Sequence, residues 1–506
     1  MKTIKTLTLL IAILIAYNIY AQSVTLDPTF GQNGVTVIPD AKMGITFAFD
    51  QFGNIFIGVT TADYRVVIIK MNADGIIDEN FGTNGQILVS EDPITWPPAE
   101  LRITNENKIL LCETFNGSNI NVILRRFNED GSIDQTFGNQ GIMNLSALIG
   151  AYNPILIRAV NLENDDFMLI GVTEHITAGK SYILKYYYDG VLDESFGENG
   201  KVYLTDNDET FNIHPRAIKI LNDHSIIVAG FDNVGLSSGG RLAFCKLSPT
   251  GNLVADFAHN GIWVMDNNLQ QTEHFYSIIE DKYNGNLVFA RERYVSWEAY
   301  YFVCSFYPDG TLNSGFGTNG CYTNYNVFEF SGEIQTLQSG SKYLLKYDDL
   351  ITSINNIGTL DTNFNHTGVF SLAGYRFKEM KLQDTNKLVL LGHFYDSDIV
   401  AIIRLNIPYE SVSIKETPDT ESRVNIFPNP TTGELTINAS TSSAANEQLV
   451  INSVEIFDVY GRKHEGTKAR KHEREILIDI AHLPVGIYFV KIKTEAGTQT
   501  QKVIKY

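Results

Sequence analysis

LDPTFGQNG, residues 26–34, decides how this chain is read, because it is written again and again. It returns as IDENFGTNG at 77–85, IDQTFGNQG at 133–141 and LDESFGENG at 192–200, then more loosely as LVADFAHNG at 253–261, LNSGFGTNG at 312–320 and LDTNFNHTG at 360–368. The seven phenylalanines, Phe30, Phe81, Phe137, Phe196, Phe257, Phe316 and Phe364, recur at intervals of 51, 56, 59, 61, 59 and 48 along the chain. Such a period is too long for a common helical solenoid and suits a propeller blade. Within the first period, GVTVIP, ITFAFD, NIFIGVTT and YRVVIIKMN are four β-rich runs, which predicts a blade of four strands.

Register is kept inside the period. A glycine turn precedes each of five phenylalanines by six residues, at Gly75, Gly131, Gly190, Gly251 and Gly310. Just upstream, a strand carries a basic residue in a fixed place: Lys70, Arg126, Lys185, Lys246 and, after the last copy, Arg404. Seven entries and seven final strands predict a ring of seven blades, since closure removes the exposed edges of a linear array. In this reading the Asp and Asn residues fold back on the backbone, glycine supplies positive φ, and the phenylalanine wedges against the next blade. A calcium-loop reading of Asn72-Ala-Asp74-Gly-x-x-Asp78 competes. Against it, Val254 and Asn313 replace the recurrent aspartate in two copies, and the dense carboxylate spacing of a calcium loop is missing. No metal and no cofactor is expected.

The phrase DGxLDxxFGxNG at this spacing resembles the bacterial delta-60 repeat proteins, over roughly residues 24–406. The resemblance implies a β-propeller and no particular activity.

The rest of the chain gives it a route. Lys2 and Lys5, the apolar run LTLLIAILIA (7–16) and Ala21 before Gln22 read as a signal peptide over 1–22. The propeller is expected over 23–406, and 407–424, acidic and interrupted by Pro408 and Pro418, reads as a linker. Residues 425–506 hold NIFPNPTTGELTIN, VEIFDVYGR and GIYFVKIKT, strands that predict a small immunoglobulin-like β-sandwich. FPNPTTGELTI, IFDVYGR, the LPVGIYFVKI run and the ending QKVIKY resemble the type A sorting domain of the type IX secretion system. Pro428, Asn429, Pro430, Gly433, Leu483, Gly486, Tyr488, Lys502 and Val503 match that signature. The resemblance implies a Bacteroidota-type cell, passage through the periplasm and the outer membrane, and contact with the secretion machinery. It further implies removal of the tail by a surface sortase, with the body released or joined to lipopolysaccharide. The whole is thus expected to be all-β, secreted or surface-attached, with no transmembrane segment once mature.

Charge narrows the partners. The chain has 39 basic and 58 acidic residues, and all of the excess lies between the signal region and the sandwich. This argues against nucleic acid. Four cysteines, Cys112, Cys245, Cys304 and Cys321, show no zinc spacing and read as buried free thiols. No HExxH, GxSxG or P-loop occurs, and among so many acids spacing selects no catalytic pair. Two stretches break the repeat and read as candidate site loops: EDPITWPPAE with Trp96, and ARERYVSWEAYYF with Arg291, Arg293, Tyr294, Trp297 and Tyr300. Aromatic faces beside polar groups suit sugar binding, although buried strand aromatics look the same. The leading expectation is a non-catalytic module for extracellular glycan or protein. A polysaccharide-active hydrolase or lyase and a structural surface-layer protein are the alternatives.

Overall fold

The computed structural model describes residues 23–89, 100–116, 120–145, 156–161, 167–173, 180–205, 212–232, 241–265, 273–295, 298–327, 335–347, 349–372, 374–394, 399–408, 422–441, 451–458, 464, 468–472, 475–484, 486–494 and 497–505. By contacts the chain divides into two compact units, Met1–Glu410 and Ser411–Tyr506.

The first unit is a seven-bladed β-propeller. Blade 1 is built from Ala41–Phe49, Ile55–Thr61, Val66–Met71 and Gln86–Leu88, antiparallel and in that order from inside to outside. Blades 2 to 6 repeat this meander, beginning at inner strands Glu100–Ile103, Leu156–Asn161, Ile213–Ile220, Glu273–Glu280 and Gln335–Ser339. Blade 7 has Tyr375–Asp384, Lys387–Phe394 and Val400–Asn406 from the end of the ring, and takes its outer strand from the beginning: Val35–Val37 pairs with Val400–Asn406, as does Thr25–Leu26. Inner strands of blades 1 and 2, 3 and 4, 4 and 5, 5 and 6, 6 and 7, and 7 and 1 touch, so the sheets stand round an axis.

This phase corrects one sequence expectation. The four β-rich runs of the first period do not make one blade, because GVTVIP crosses to blade 7 and blade 1 is completed by Gln86–Leu88. The offset of one strand is what ties the two ends of the ring, and a period count cannot see it.

The packing explains the repeated phenylalanine. Blades meet face to face through separate apolar cores, and each core contains one of the seven: Phe30 between blades 7 and 1, Phe81 between 1 and 2, and so on to Phe364 between 6 and 7. All seven are at most 3% exposed. Each such ring is worth roughly 1.5–3 kcal/mol by burial. The glycine turn of the following blade lies against it, and a Cβ on Gly75 would stand 2.5 Å from the Phe30 ring; at φ 76° that glycine has no substitute. The residue after the phenylalanine then donates its amide across the seam, as Gly31 N to Asp74 O at 2.8 Å and Gly197 N to Thr250 O at 2.9 Å.

Above the ring sits the recurrent cation, itself paired with the motif aspartate. Arg404 lies 4.7 Å from the Phe30 centroid and donates to Asp27 at 2.7 Å; Arg126 lies 4.7 Å from Phe137 and donates to Asp134 at 2.8 Å. Lys185 meets Asp193 at 2.9 Å and Lys70 meets Asp78 at 3.4 Å. Where the aspartate is Val254, Lys246 turns instead to Asp223 at 3.1 Å, and where Asn313 stands, the cation position is Ser305. Arg404 closes the ring: it also donates to Ala73 O (2.6 Å), Gln383 Oε1 (2.9 Å) and Thr29 Oγ1 (3.1 Å), joining the last strand to the first motif and to blade 1.

The cysteine expectation is corrected in part. Cys304 and Cys321 are direct partners on the third and outer strands of blade 5, Cα atoms 4.1 Å apart, and form a disulfide. Spacing along the chain does not show this pairing, which depends on the register of two strands within one blade. Cys112 and Cys245 are buried free thiols.

The second unit is a two-sheet sandwich. Ser422–Phe427, Glu434–Thr441, Glu475–Asp479 and Lys468–His472 form one sheet; Ile451–Asp458, Gly486–Thr494 and Gly497–Lys505 form the other. Leu435, Ile437, Ile456, Ile478, Val490, Ile492 and Val503 fill the space between them.

The seam can be tested by substitution and by acid. Arg404→Ala leaves buried Asp27 with Lys387 as its remaining cation, and is expected to cost about 3–5 kcal/mol in urea unfolding, whereas Lys246→Ala, whose Asp223 partner is 59% exposed, should cost under about 1 kcal/mol. Acid should also loosen the ring. Burial alone would raise the Asp27 carboxyl, but the Lys387 ammonium, the Thr29 hydroxyl and amide and the Arg404 charge outweigh it and hold it well below the usual range. Asp134 and Asp193 are likewise held low against burial, by Thr136, Lys108 and Arg126 and by Ser195 and Lys185. A carboxyl depressed in the fold stabilises it fully above the unfolded value and loses that contribution as pH falls through the folded value. The urea midpoint should therefore hold above about pH 5 and decline progressively below about pH 4. A flat midpoint down to about pH 2 would sink this account.

Candidate ligand-binding face and sorting domain

Strand direction alternates across a blade, so the ring has two distinct ends. The connections between first and second and between third and fourth strands lie at one end. The latter carry the repeated motif and keep nearly one length through blades 1 to 6, as over 72–85 and 188–200. At the other end, connections between second and third strands range from the minimal 296–297 to the longer 233–240. Those from outer strand to next inner strand range there from 38–40 to 89–99. One face is regular and built of joints. The other varies from blade to blade.

The motif aspartates are engaged by the joint. Asp27 Oδ1 accepts from the Thr29 amide at 3.1 Å, and Asp134 and Asp193 do the same for Thr136 and Ser195. In the segment weighed as a calcium loop, Asn72 Oδ1 accepts the amides of Asp74 and Ile76, both at 3.0 Å, while Asp78 faces Lys70. Among the described residues no three His, Cys, Asp or Glu gather in a metal-holding group.

The buried acids elsewhere are held in the same manner. Glu113 meets Arg125 at 2.6 Å, with burial raising its carboxyl against the Arg125 charge; Asp361 meets Lys342 at 2.8 Å; Asp232 pairs with Arg241, and Asp281 accepts the Tyr343 hydroxyl. Among the described residues of the propeller, each buried acid has a cation or a tyrosine hydroxyl on it.

The sequence candidates scatter. Trp96 and Trp297 lie outside the described residues; the neighbouring strand ends Leu88, Glu100, Val295 and Glu298 belong to the variable face. The stretch 290–302 is in its greater part no loop: Leu287–Val295 and Glu298–Phe306 are the second and third strands of blade 5, with Arg293 opposite Tyr300 and Tyr294 opposite Ala299. Both strands are rich in aromatic and β-branched residues, which suit a sheet, so the stretch breaks the motif without leaving the blade. Arg291 is 9% exposed, its guanidinium 4.1 Å from the Phe302 ring centroid and 3.9 Å from the Met265 sulfur, and so belongs to blade packing. Tyr300 is half-buried.

Sequence reasoning missed a charge pattern on the inner strands. The seven innermost strands carry eight Lys or Arg against five Asp or Glu, in a chain whose overall balance is 39 against 58. Strand identity had to be known before this could be counted.

In the sandwich, the signature residues build one corner. Peptide bonds before Pro428 and Pro430 are cis. Asn429 between them donates Nδ2 to Lys502 O (2.7 Å) and accepts the Ile504 amide (2.9 Å), clasping the final strand. The Thr431 amide reaches Ile504 O at 2.8 Å, and Gly433 O accepts the Ile480 amide at 2.7 Å where a Cβ would meet Ala481 at 2.7 Å. Leu483 and Val503 are buried, Gly486 opens the strand opposite Lys505, and the Tyr488 hydroxyl donates to Pro484 O at 2.7 Å.

Asn429→Ala removes both hydrogen bonds to the last strand. It is expected to destabilise the sandwich by about 1–3 kcal/mol and to lower the exported fraction of the protein, measured by fractionating cells. Unchanged export with a destabilised domain would separate the clasp from sorting.

Residues 425–506 match the family described as the secretion system C-terminal sorting domain. No curated protein matches the chain. Solved structures resemble it in outline: the plexin A4 full extracellular region (9% identity, TM-score 0.41, covering 95% of this chain and 62% of that one), YCF48 from Cyanidioschyzon merolae (10%, 0.38, 73% and 98%) and the AfRom2 CNH domain (10%, 0.38, 74% and 99%). The chain spans less than two thirds of the plexin region. Among the described residues no helix is long and apolar enough to cross a membrane. The C-terminal module is a type IX sorting domain, and the protein is secreted or displayed at the cell surface.

Proposed function

We propose that this protein is an exported β-propeller that binds extracellular glycan, without catalysis, through the variable face of its ring. The observation that carries this reading is the division of labour between the two ends. The recurrent Asp, Lys or Arg, and Phe residues are spent on blade joints, while the connections at the opposite end, from 296–297 up to 89–99, differ blade by blade. Recognition residues concentrate on loops held by a rigid scaffold, and a ring of seven such sets suits a large, irregular ligand. The capture of buried acids by cations and tyrosine favours binding over a two-carboxylate hydrolase. The N-terminal signal peptide, the delta-60 kinship and a Bacteroidota-type source belong to this reading, as does removal of residues 425–506 by a surface sortase after transit.

The test uses the full chain on a panel of plant, algal and bacterial polysaccharides, scoring retention together with release of reducing or unsaturated ends. Retention without product is expected, reduced at least about tenfold by Trp96→Ala with Trp297→Ala, as the loss of aromatic stacking against a ligand would give. Product release would install the enzyme in its place. Absence of both would leave a protein ligand or a surface coat as the better account.

A further inference from the structure

We infer that the central channel, at its variable-face end, is a site for an anionic polysaccharide, one bearing carboxylate or sulfate groups. The inference deepens the glycan-binding reading and rests on it.

The first observation is a shared irregularity. Inner strands of blades 1, 3, 4, 5 and 7 each carry a β-bulge at one register position: between Gly44 and Thr46, Ile157 and Ala159, Pro215 and Ala217, Phe275 and Ser277, and Phe377 and Glu379. A bulged residue has no partner in the ladder, and the bulge re-aims it. The innermost strand has its free edge toward the ring axis, so the bulged backbone lies beside the channel, while the side chain follows its residue type: in blade 1 it is Ile45, which packs into the core between blades 1 and 2. Three of the five bulge positions are cations in the sequence: Arg158, Arg216 and Lys378.

The second observation is exposure and support. Arg216 is the exposed residue of an otherwise buried or half-buried strand, and the Phe231 ring lies 5.3 Å below its guanidinium. Behind the blade 7 bulge, Lys346, 1% exposed, donates to Phe377 O (3.0 Å) and Lys378 O (2.9 Å), which fixes the bulge and adds a further positive charge beneath it. Arg376 lies two residues before Lys378 on the same strand.

The third is contrast. Residues 23–424 carry a net charge of −22, yet the inner strands have an excess of cations. An acidic body repels polyanions at long range, so this local reversal selects for a chain that threads or caps the channel, at short range and with a salt-sensitive affinity. A nucleic acid would meet the acidic outer surface over a far greater length.

Dextran and dextran sulfate differ only in charge, and polygalacturonate supplies carboxylate in place of sulfate. Retention of the full chain on these three is compared, with single-stranded DNA as a fourth probe, from about 50 to about 500 mM salt. Dextran sulfate and polygalacturonate are expected to be retained above dextran, with retention falling as salt rises. Arg216→Ala with Lys378→Ala should weaken it about tenfold, and Arg216→Lys with Lys378→Arg should largely restore it. Lys201→Ala with Lys282→Ala, which removes two charges away from the inner strands and from the variable face, should change it less than about twofold. Thermal unfolding of every variant checks the fold. Equal losses from both alanine pairs, or retention of single-stranded DNA equal to the glycans, overturns the assignment. Retention of neutral glycan unaffected by Arg216→Ala with Lys378→Ala overturns the channel site and leaves glycan binding standing; retention on no polysaccharide overturns both.

Discussion

The ring must close without a covalent bond, and one guanidinium carries much of that requirement. Arg404 belongs to the third strand of blade 7, but its partners, Asp27, Thr29, Ala73 and Gln383, come from the first motif, blade 1 and its own inner strand. At every other joint the peptide chain runs from third strand to motif and limits how far the two can separate. Here the chain is interrupted between Asn406 and Thr25, which lie paired in the ladder. The extra hydrogen bonds on Arg404, and the second cation Lys387 on Asp27, stand where the covalent tether is missing. An open ring would expose the core of Phe30, Phe47, Leu391 and Ile402. The apolar term therefore drives closure, while the ion pair fixes its register.

The same stack of ring, cation and carboxylate recurs through the molecule, and its exceptions show that it acts as a unit. Losing the aspartate at Val254 does not leave Lys246 unpaired, since Asp223 of the first turn in the same blade takes it. At Asn313 the cation is absent as well, and two neutral groups, Asn313 and Ser305, lie side by side. Blade 6 keeps Asp361 but finds its cation on the second strand, at Lys342. A buried charge is tolerable only with its partner, so where one member is missing the other is either replaced too, as at Asn313 and Ser305, or finds a counter-charge elsewhere in its blade. This recurrence needs no ligand to account for it.

Much of this was legible from the chain alone. The phenylalanine period set the number of blades, the glycines marked the turns, and the wedge predicted for Phe30 is the wedge found. Pairings were less legible. Lys70 and Asp78 or Arg126 and Asp134 each stood out by position, but only strand register shows them facing one another. The disulfide was within reach of the same logic. The residue after the last motif glycine pairs with the one before the cation position, as Gln86 with Ile69 and Ile142 with Arg125, so Cys321 had to meet Cys304 and Cys245 had to meet Ile262. The candidate site was least legible, because Arg291 and Tyr294 sit on strands whose aromatic content suits burial and binding equally well in sequence. The charges of the inner strands are scattered over most of the propeller sequence and become a group only round an axis.

That axis poses a problem which the structure resolves with side chains. Innermost strands leave unpaired N–H and C=O groups along the channel, and buried groups of this kind must find partners. Neighbouring blades supply some of them: Glu379 accepts the Phe47 amide at 2.9 Å while Lys381 donates to the Phe47 carbonyl, Ser277 accepts the Thr336 amide at 3.2 Å, and Lys346 takes two carbonyls of blade 7. Polar and charged residues on inner strands thus have a structural task independent of any ligand. It accounts for Lys381, and Lys346, on the second strand of blade 6, serves the same end from behind. Arg216 differs from these in being exposed and out of the ladder, with its guanidinium over the Phe231 ring. Residues beyond those the backbone requires are the ones in which recognition has room to evolve.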